Sequence, residues 1–107
     1  MSGMDDREQG FESKYAHDEK IEFKATARRN KLLGLWAASQ MGLEGDDAEE
    51  YGKSVVIADF EEVGHEDVFR KIRGDFDAKG VEMSDHLIRK QMDDLLIEAR
   101  EQVMSEG

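Results

Sequence analysis

The sequence predicts an all-α protein, a four-helix bundle with a flexible N-terminal segment. Three observations predict it. Apolar residues recur at helical spacing in four stretches. Glycines separate those stretches, and there is no Pro among the 107 residues, so helices joined by short turns fit better than a loop-rich fold. Residues 1–20, MSGMDDREQGFESKYAHDEK, carry Phe11 and Tyr15 as their only large apolar side chains besides Met. A chain of this length is expected to hold one folded domain.

The first helix is expected from about Asp18, or somewhat earlier, to Met41. Ile21, Ala25, Leu32, Leu35, Trp36 and Ser39 fall on one stripe, which Phe23, Ala27 and Leu33 widen. Trp36 reads as a core anchor. Gly42 and Gly45 then open a turn. The second helix is expected to start at Asp46, capped by it, with Glu49 completing a capping box. Its buried face would be Ala48, Tyr51, Val55, Val56, Phe60 and Val63, with Gly64 as a left-handed stop.

The third helix should run from Glu66 to Lys79. Acidic residues lie at its positive end, Val68, Phe69, Ile72 and Phe76 form its stripe, and Gly80 ends it. Gly74 inside it costs about 1 kcal/mol relative to Ala. The fourth helix should begin at Ser84 as N-cap, with Met83 and Ile88 placed as a hydrophobic staple. Leu87, Ile88, Met92, Leu95, Leu96, Ala99 and Val103 carry its period to the end of the chain.

Two units follow from this pattern: residues 1–19 as a flexible arm and residues 20–107 as the four-helix domain. Isolated stretches under about 12–15 residues are barely helical in water, and Gly10 weakens this one. Met1 to about Ala16 are therefore expected to be largely disordered in the free chain.

Charge narrows the function. The net charge is −11, and residues 44–107 supply all of it, with eight basic and nineteen acidic residues against seven of each in residues 1–43. Long-range attraction to nucleic acid or to anionic lipid is not expected; a neutral arm on an acidic body suits protein partners. No run of 18 apolar residues offers a membrane span, and the N-terminus lacks the apolar core of a secretory signal. The absence of Cys removes disulfides, thiolate metal sites and cysteine nucleophiles.

Chemistry is hard to find. His17, His65 and His86 lie in separate segments without metal-site spacing. Asp75-Phe76-Asp77-Ala78-Lys79-Gly80 has the opening of a calcium loop, but Lys79 stands at a ligand position and His86 where the bidentate Glu belongs. No Gly-rich phosphate loop or serine nucleophile signature is present. Acidic pairs such as Asp46/Asp47 read as solvated faces. No catalytic residue, metal or cofactor is therefore expected, and the chain is not read as an enzyme.

Two clusters stand out. Lys24, Arg28, Arg29 and Lys31 are basic, and 24, 28 and 31 share a helix face. They either pair with acids of neighbouring helices or form a docking face for an acidic partner or a phosphate, for which Lys24, Arg28 and Arg29 are the candidates. In the arm, Phe11 and Tyr15 lie four apart and would point the same way on a helix. The arm is either an ordinary frayed terminus or a segment that becomes helical in a partner's groove and inserts Phe11 and Tyr15.

Long stretches also resemble a known family. DDRE (Asp5 to Glu8), FESKYAHDE (Phe11 to Glu19), ARRNKLLGLWAA (Ala27 to Ala38), VVIADFEEVGHEDVFRK (Val55 to Lys71) and SDHLIRKQMDDLL (Ser84 to Leu96) resemble the zeta subunit family of alphaproteobacterial F-type ATP synthases, the ATPase inhibitor subunit. The resemblance implies a four-helix protein whose N-terminal segment enters a catalytic interface between alpha and beta subunits near the gamma subunit. It would block rotation in the hydrolysis direction, much as the mitochondrial inhibitor protein does. The inhibitory stretch would map to Met1 through about Glu19, with Asp5, Asp6, Arg7, Glu8, Phe11, Glu12, Lys14 and Tyr15 as partner-binding residues. It implies a cytoplasmic protein, peripheral to the inner membrane through the synthase. The free chain is expected to be a monomer. The alternative readings are a small acidic helical module that binds a nucleotide weakly near Lys24, Arg28 or Arg29, or an adaptor acting through its bundle face.

Overall fold

The structure is a computed structural model; it describes residues 19–60 and 66–106 in full and, of residues 2–18, only their membership of the first helix. Four helices follow one another: α1 (Ser2–Gln40), α2 (Gly45–Ala58), α3 (Glu66–Lys79) and α4 (Asp85–Glu106). Among the described residues there is no strand, as the sequence predicts. The expected disorder of Met1 to Ala16 falls outside the fully described residues. The α1 span begins well before Asp18.

The buried stripe of α1 differs from the expected one. Ala25, Arg29, Leu33 and Ala37, at steps of four, are buried together with Asn30, Gly34 and Ala38. Leu32, Leu35 and Trp36 are half-buried on its flank, while Ser39 and Phe23 face solvent. The cause is a close helix crossing. A Cβ built on Gly34 would lie 2.6 Å from the Gly52 Cα, so α1 and α2 meet backbone to backbone. That contact turns the small residues of α1 inward and the larger ones to the flanks.

The α1–α2 turn closes as a Schellman motif. Leu43 N–H donates to Ala38 O at 2.8 Å and Gly42 N–H to Ser39 O at 3.2 Å, with Gly42 at φ 78°. The second helix starts one residue earlier than expected. Its N-cap is Glu44, whose side chain makes no capping bond, so the Asp46/Glu49 box does not form; Asp46 and Asp47 instead occupy the first turn, where negative charge favours the dipole. The helix also ends earlier, at Ala58. Phe60 N–H donates to Ile57 O at 3.0 Å, a tightened last turn, and Phe60 is 68% exposed rather than buried. Val63, Gly64 and His65 lie outside the described residues.

The third helix has the expected bounds. Val81 N–H donates to Phe76 O at 2.8 Å and Gly80 N–H to Asp77 O at 3.3 Å, a second Schellman stop with Gly80 at φ 72°. Ser84 caps α4 as predicted: its Oγ accepts the Leu87 N–H at 3.1 Å. Met83 and Ile88 both join the core, but Leu87 is exposed.

The main core gathers Leu33, Val55, Val68, Ile72, Phe76 and Ile88. Trp36 packs on it edge-on to Phe76, with centroids 5.8 Å apart. A smaller cluster, Ala25, Ala99 and Val103 with Ile21 and Leu96 against it, joins α1 to α4 at the end nearest the arm.

Candidate functional site

Among the described residues, Ile21 is the first of α1 to pack on another helix. Ion pairs fix the chain around it. Arg100 Nε and Nη2 donate to the two carboxylate oxygens of Glu22 at 2.8 and 2.9 Å. One turn on, Arg28 donates to Gln102 Oε1 at 3.0 Å and pairs with Glu106 at 2.7 Å. Hydrogen bonding to Arg28 holds the Glu106 carboxyl below its usual range. Both pairs are substantially exposed, and exposed pairs contribute little. They set the orientation of α1 on α4 more than they stabilise it.

The basic cluster does not form one docking face. Arg29 is 2% exposed, which corrects its expected surface role. It sits on the inward stripe between Ala25 and Leu33 and donates from Nε to Asn30 Oδ1 at 2.8 Å. Burial pushes its guanidinium down in pKa, while the charges of Asp59 and Asp93 oppose that shift. An Arg reads as a surface residue because unpaired buried charge is so costly; nothing in the local spacing reveals that carboxylates from the end of α2 and from α4 lie close enough to act on it. Lys24 is exposed, Arg28 is engaged by Glu106, and Lys31 lies 3.7 Å from Glu49.

Over this buried pair lies a surface that periodicity did not reveal. Phe23, 64% exposed, and Phe60, 68% exposed, meet with ring centroids 6.4 Å apart at 50°. They line a small pocket of about 40 Å³ together with Thr26, Asn30, Val56 and Asp59. Asn30 is 1% exposed, and its Nδ2 has no hydrogen-bond acceptor within the described structure. An adjoining groove of about 360 Å³ runs past Lys24, Ala27 and Val103. Phe23 and Phe60 both fall at helical or near-helical apolar spacing, which predicts their burial; the early end of α2 and the rotation of α1 expose them.

The calcium-loop resemblance dissolves in the structure. Asp75 and Asp77 lie inside α3. Asp75 Oδ2 accepts from Tyr51 Oη at 2.7 Å and from Lys71 Nζ at 3.1 Å, and Asp77 accepts from Arg73 at 2.8 Å. Burial, with the bond to Asp75, pushes the Tyr51 phenol far above its usual range. No group of His, Asp and Glu able to hold a metal occurs among the described residues, and no described helix is long and apolar enough to cross a membrane. The arm residues Asp5, Asp6, Arg7, Glu8, Phe11, Glu12, Lys14 and Tyr15, like His17, have side chains outside the described set.

No curated protein matches the chain. A structure solved by solution NMR is 48% identical to it, covers 81% of this chain and 99% of its own, and superposes with a TM-score of 0.72. The family described as ATPase inhibitor subunit zeta matches residues 1–102, which takes in both the arm and nearly all of the bundle. The chain therefore belongs to the ATPase inhibitor subunit zeta family.

Proposed function

We propose that this chain inhibits ATP hydrolysis by an F-type ATP synthase sterically, with residues 1–19 as the inhibitory arm and residues 20–107 as the domain that holds it. The arm enters a catalytic interface between alpha and beta subunits as a helix, reaches toward gamma and blocks rotation. Asp5, Asp6, Arg7, Glu8, Phe11, Glu12, Lys14 and Tyr15 are its contacts. No bond is made or broken. The protein is cytoplasmic and attached peripherally to the inner membrane through the synthase.

One observation carries the reading. The helix that contains the arm is the same helix whose C-terminal half is locked into the body, with packing evident from Ile21 onward. Once the arm is docked as a helix, its continuity with the body would transmit a load that a flexible tether would not. The price of ordering about fifteen residues is of order 15–30 kcal/mol of backbone entropy, so a large groove between subunits fits better than a shallow surface site. Family membership supports the inhibitory role in general.

Deleting residues 1–19 tests it. Inhibition of ATP hydrolysis by the purified synthase should disappear, while circular dichroism still reports a cooperatively melting helical domain. Full inhibition by the truncated chain would overturn the arm's role and leave the bundle face as the inhibitory surface.

A further inference from the structure

We infer that the Phe23–Phe60 surface is a second docking site, through which the body grips the same protein partner beside the point where the arm enters. The inference rests on the arm reading above and adds a separate contact to it.

The surface has the properties of an unfilled protein interface. Phe23, from the middle of α1, and Phe60, just past the end of α2, meet each other in the open, at 64% and 68% exposure. Contiguous exposed apolar surface is a feature of interaction sites. Val56 and Ala27 extend the apolar ground between them. A second feature is independent of the rings. Asn30 is buried to 1% exposure with its Nδ2 lacking an acceptor among the described residues, and it lines the same small pocket as the two rings. A buried donor without an acceptor is unfavourable until an oxygen reaches it. A pocket of about 40 Å³ admits one small group, such as a carbonyl oxygen.

Charge selects the partner. Lys24 lies on the adjoining groove and is exposed, and Lys31 follows on the same helix with Glu49 only at 3.7 Å. Residues 44–107 are otherwise strongly acidic. Glu106 also lines this groove, where it pairs with Arg28, and Asp59 lines the pocket; a partner bearing carboxylates is repelled by most of the body and approaches this rim through Lys24. The occupant is thus a protein segment with an apolar side chain to cover the rings, an accepting oxygen for Asn30, and Asp or Glu facing Lys24.

Position says which protein. Phe23 stands on the arm's own helix, four residues after Glu19. From Tyr15 to Phe23 an α-helix rises about 12 Å and turns about 80° beyond two full turns. A subunit that closes on Tyr15 therefore lies within reach of Phe23, and through it of Phe60. The arm would supply the block and this surface would supply residence time.

The test uses the full-length chain. Phe23→Ser/Phe60→Ser and Lys24→Glu variants are compared with Phe11→Ala/Tyr15→Ala, each first checked by thermal melting for an intact fold. Binding to the purified synthase and ATP hydrolysis are measured together. The double phenylalanine variant should raise the half-inhibition concentration at least tenfold and speed dissociation. Lys24→Glu should weaken binding severalfold and flatten its dependence on salt. Unchanged affinity and dissociation in the phenylalanine variant would overturn the docking site. So would sedimentation showing that wild type is a dimer that this variant dissolves, since a second copy would then be the occupant. An unaltered inhibition curve for Phe11→Ala/Tyr15→Ala sinks the arm reading instead, so the two failures are distinguishable.

Discussion

At the scale of single residues, glycines and one tyrosine carry the sharpest consequences. Gly34 touches Gly52 backbone to backbone, whereas a Cβ at Gly74 would meet nothing within 4 Å. The same substitution should therefore have opposite effects at the two sites. Gly34→Ala is expected to destabilise by roughly 1–3 kcal/mol, because the helices must separate. Gly74→Ala should stabilise by about 1 kcal/mol, because it only restricts the unfolded backbone. Urea denaturation of both variants checks the pair, and equal signs would remove the close crossing from the account of α1. Tyr51 is the other case. Its phenol is raised in the folded state, so its contribution to stability is complete below the ordinary value of 10.0 and declines as pH rises beyond it. Tyr51→Phe should cost about 1–2 kcal/mol at neutral pH for the lost bond to Asp75. The variant should also lose less stability than wild type when the pH is raised above 10, measured by alkaline denaturation.

Helix ends were more legible than helix faces at the scale of elements. Gly42 and Gly80 stop α1 and α3 by the same hydrogen-bond pattern, and Ser84 starts α4 through its side chain. These signals are local: a left-handed glycine or a hydroxyl cap works within one turn of chain, so sequence spacing is enough to find them. The failed cap at Asp46 shows the limit. Gly45, at φ 57°, stands at the start of α2, and this leaves Asp46 inside the first turn rather than ahead of it. Ser84→Ala should cost about 1 kcal/mol and lower the melting temperature by roughly 4–8 °C, read by circular dichroism; Asp46→Ala should cost less, since it loses only a dipole interaction.

Over the whole molecule, charge and the division of labour along α1 dominate. The chain carries −11, while ion pairs between helices such as Glu22–Arg100, Arg28–Glu106 and Glu66–Arg89 are largely exposed. Exposed pairs are weak, and the excess of like charge opposes compaction. Screening should thus relieve more repulsion than it removes attraction. Raising NaCl to roughly 0.5 M, where the Debye length is only a few ångströms, is expected to increase the melting temperature. A decrease would mean that the Arg–Glu pairs matter more than their exposure suggests. The same charge balance leaves the Lys24 rim as a place where an acidic partner can approach.

The sequence by itself determined that there are four helices, where α3 begins and ends, which residues stop α1 and α3, and which family the chain resembles. Each of these depends on interactions within a few residues or on motifs read in order. Only the tertiary structure decided which arc of α1 turns inward, that Arg29 and Asn30 are sealed beneath it, and that Phe23 and Phe60 stay open. An apolar period defines a wide arc but not the rotation within it. That rotation was set by how closely α2 could approach, through Gly34 and Gly52, a contact between segments far apart in the chain.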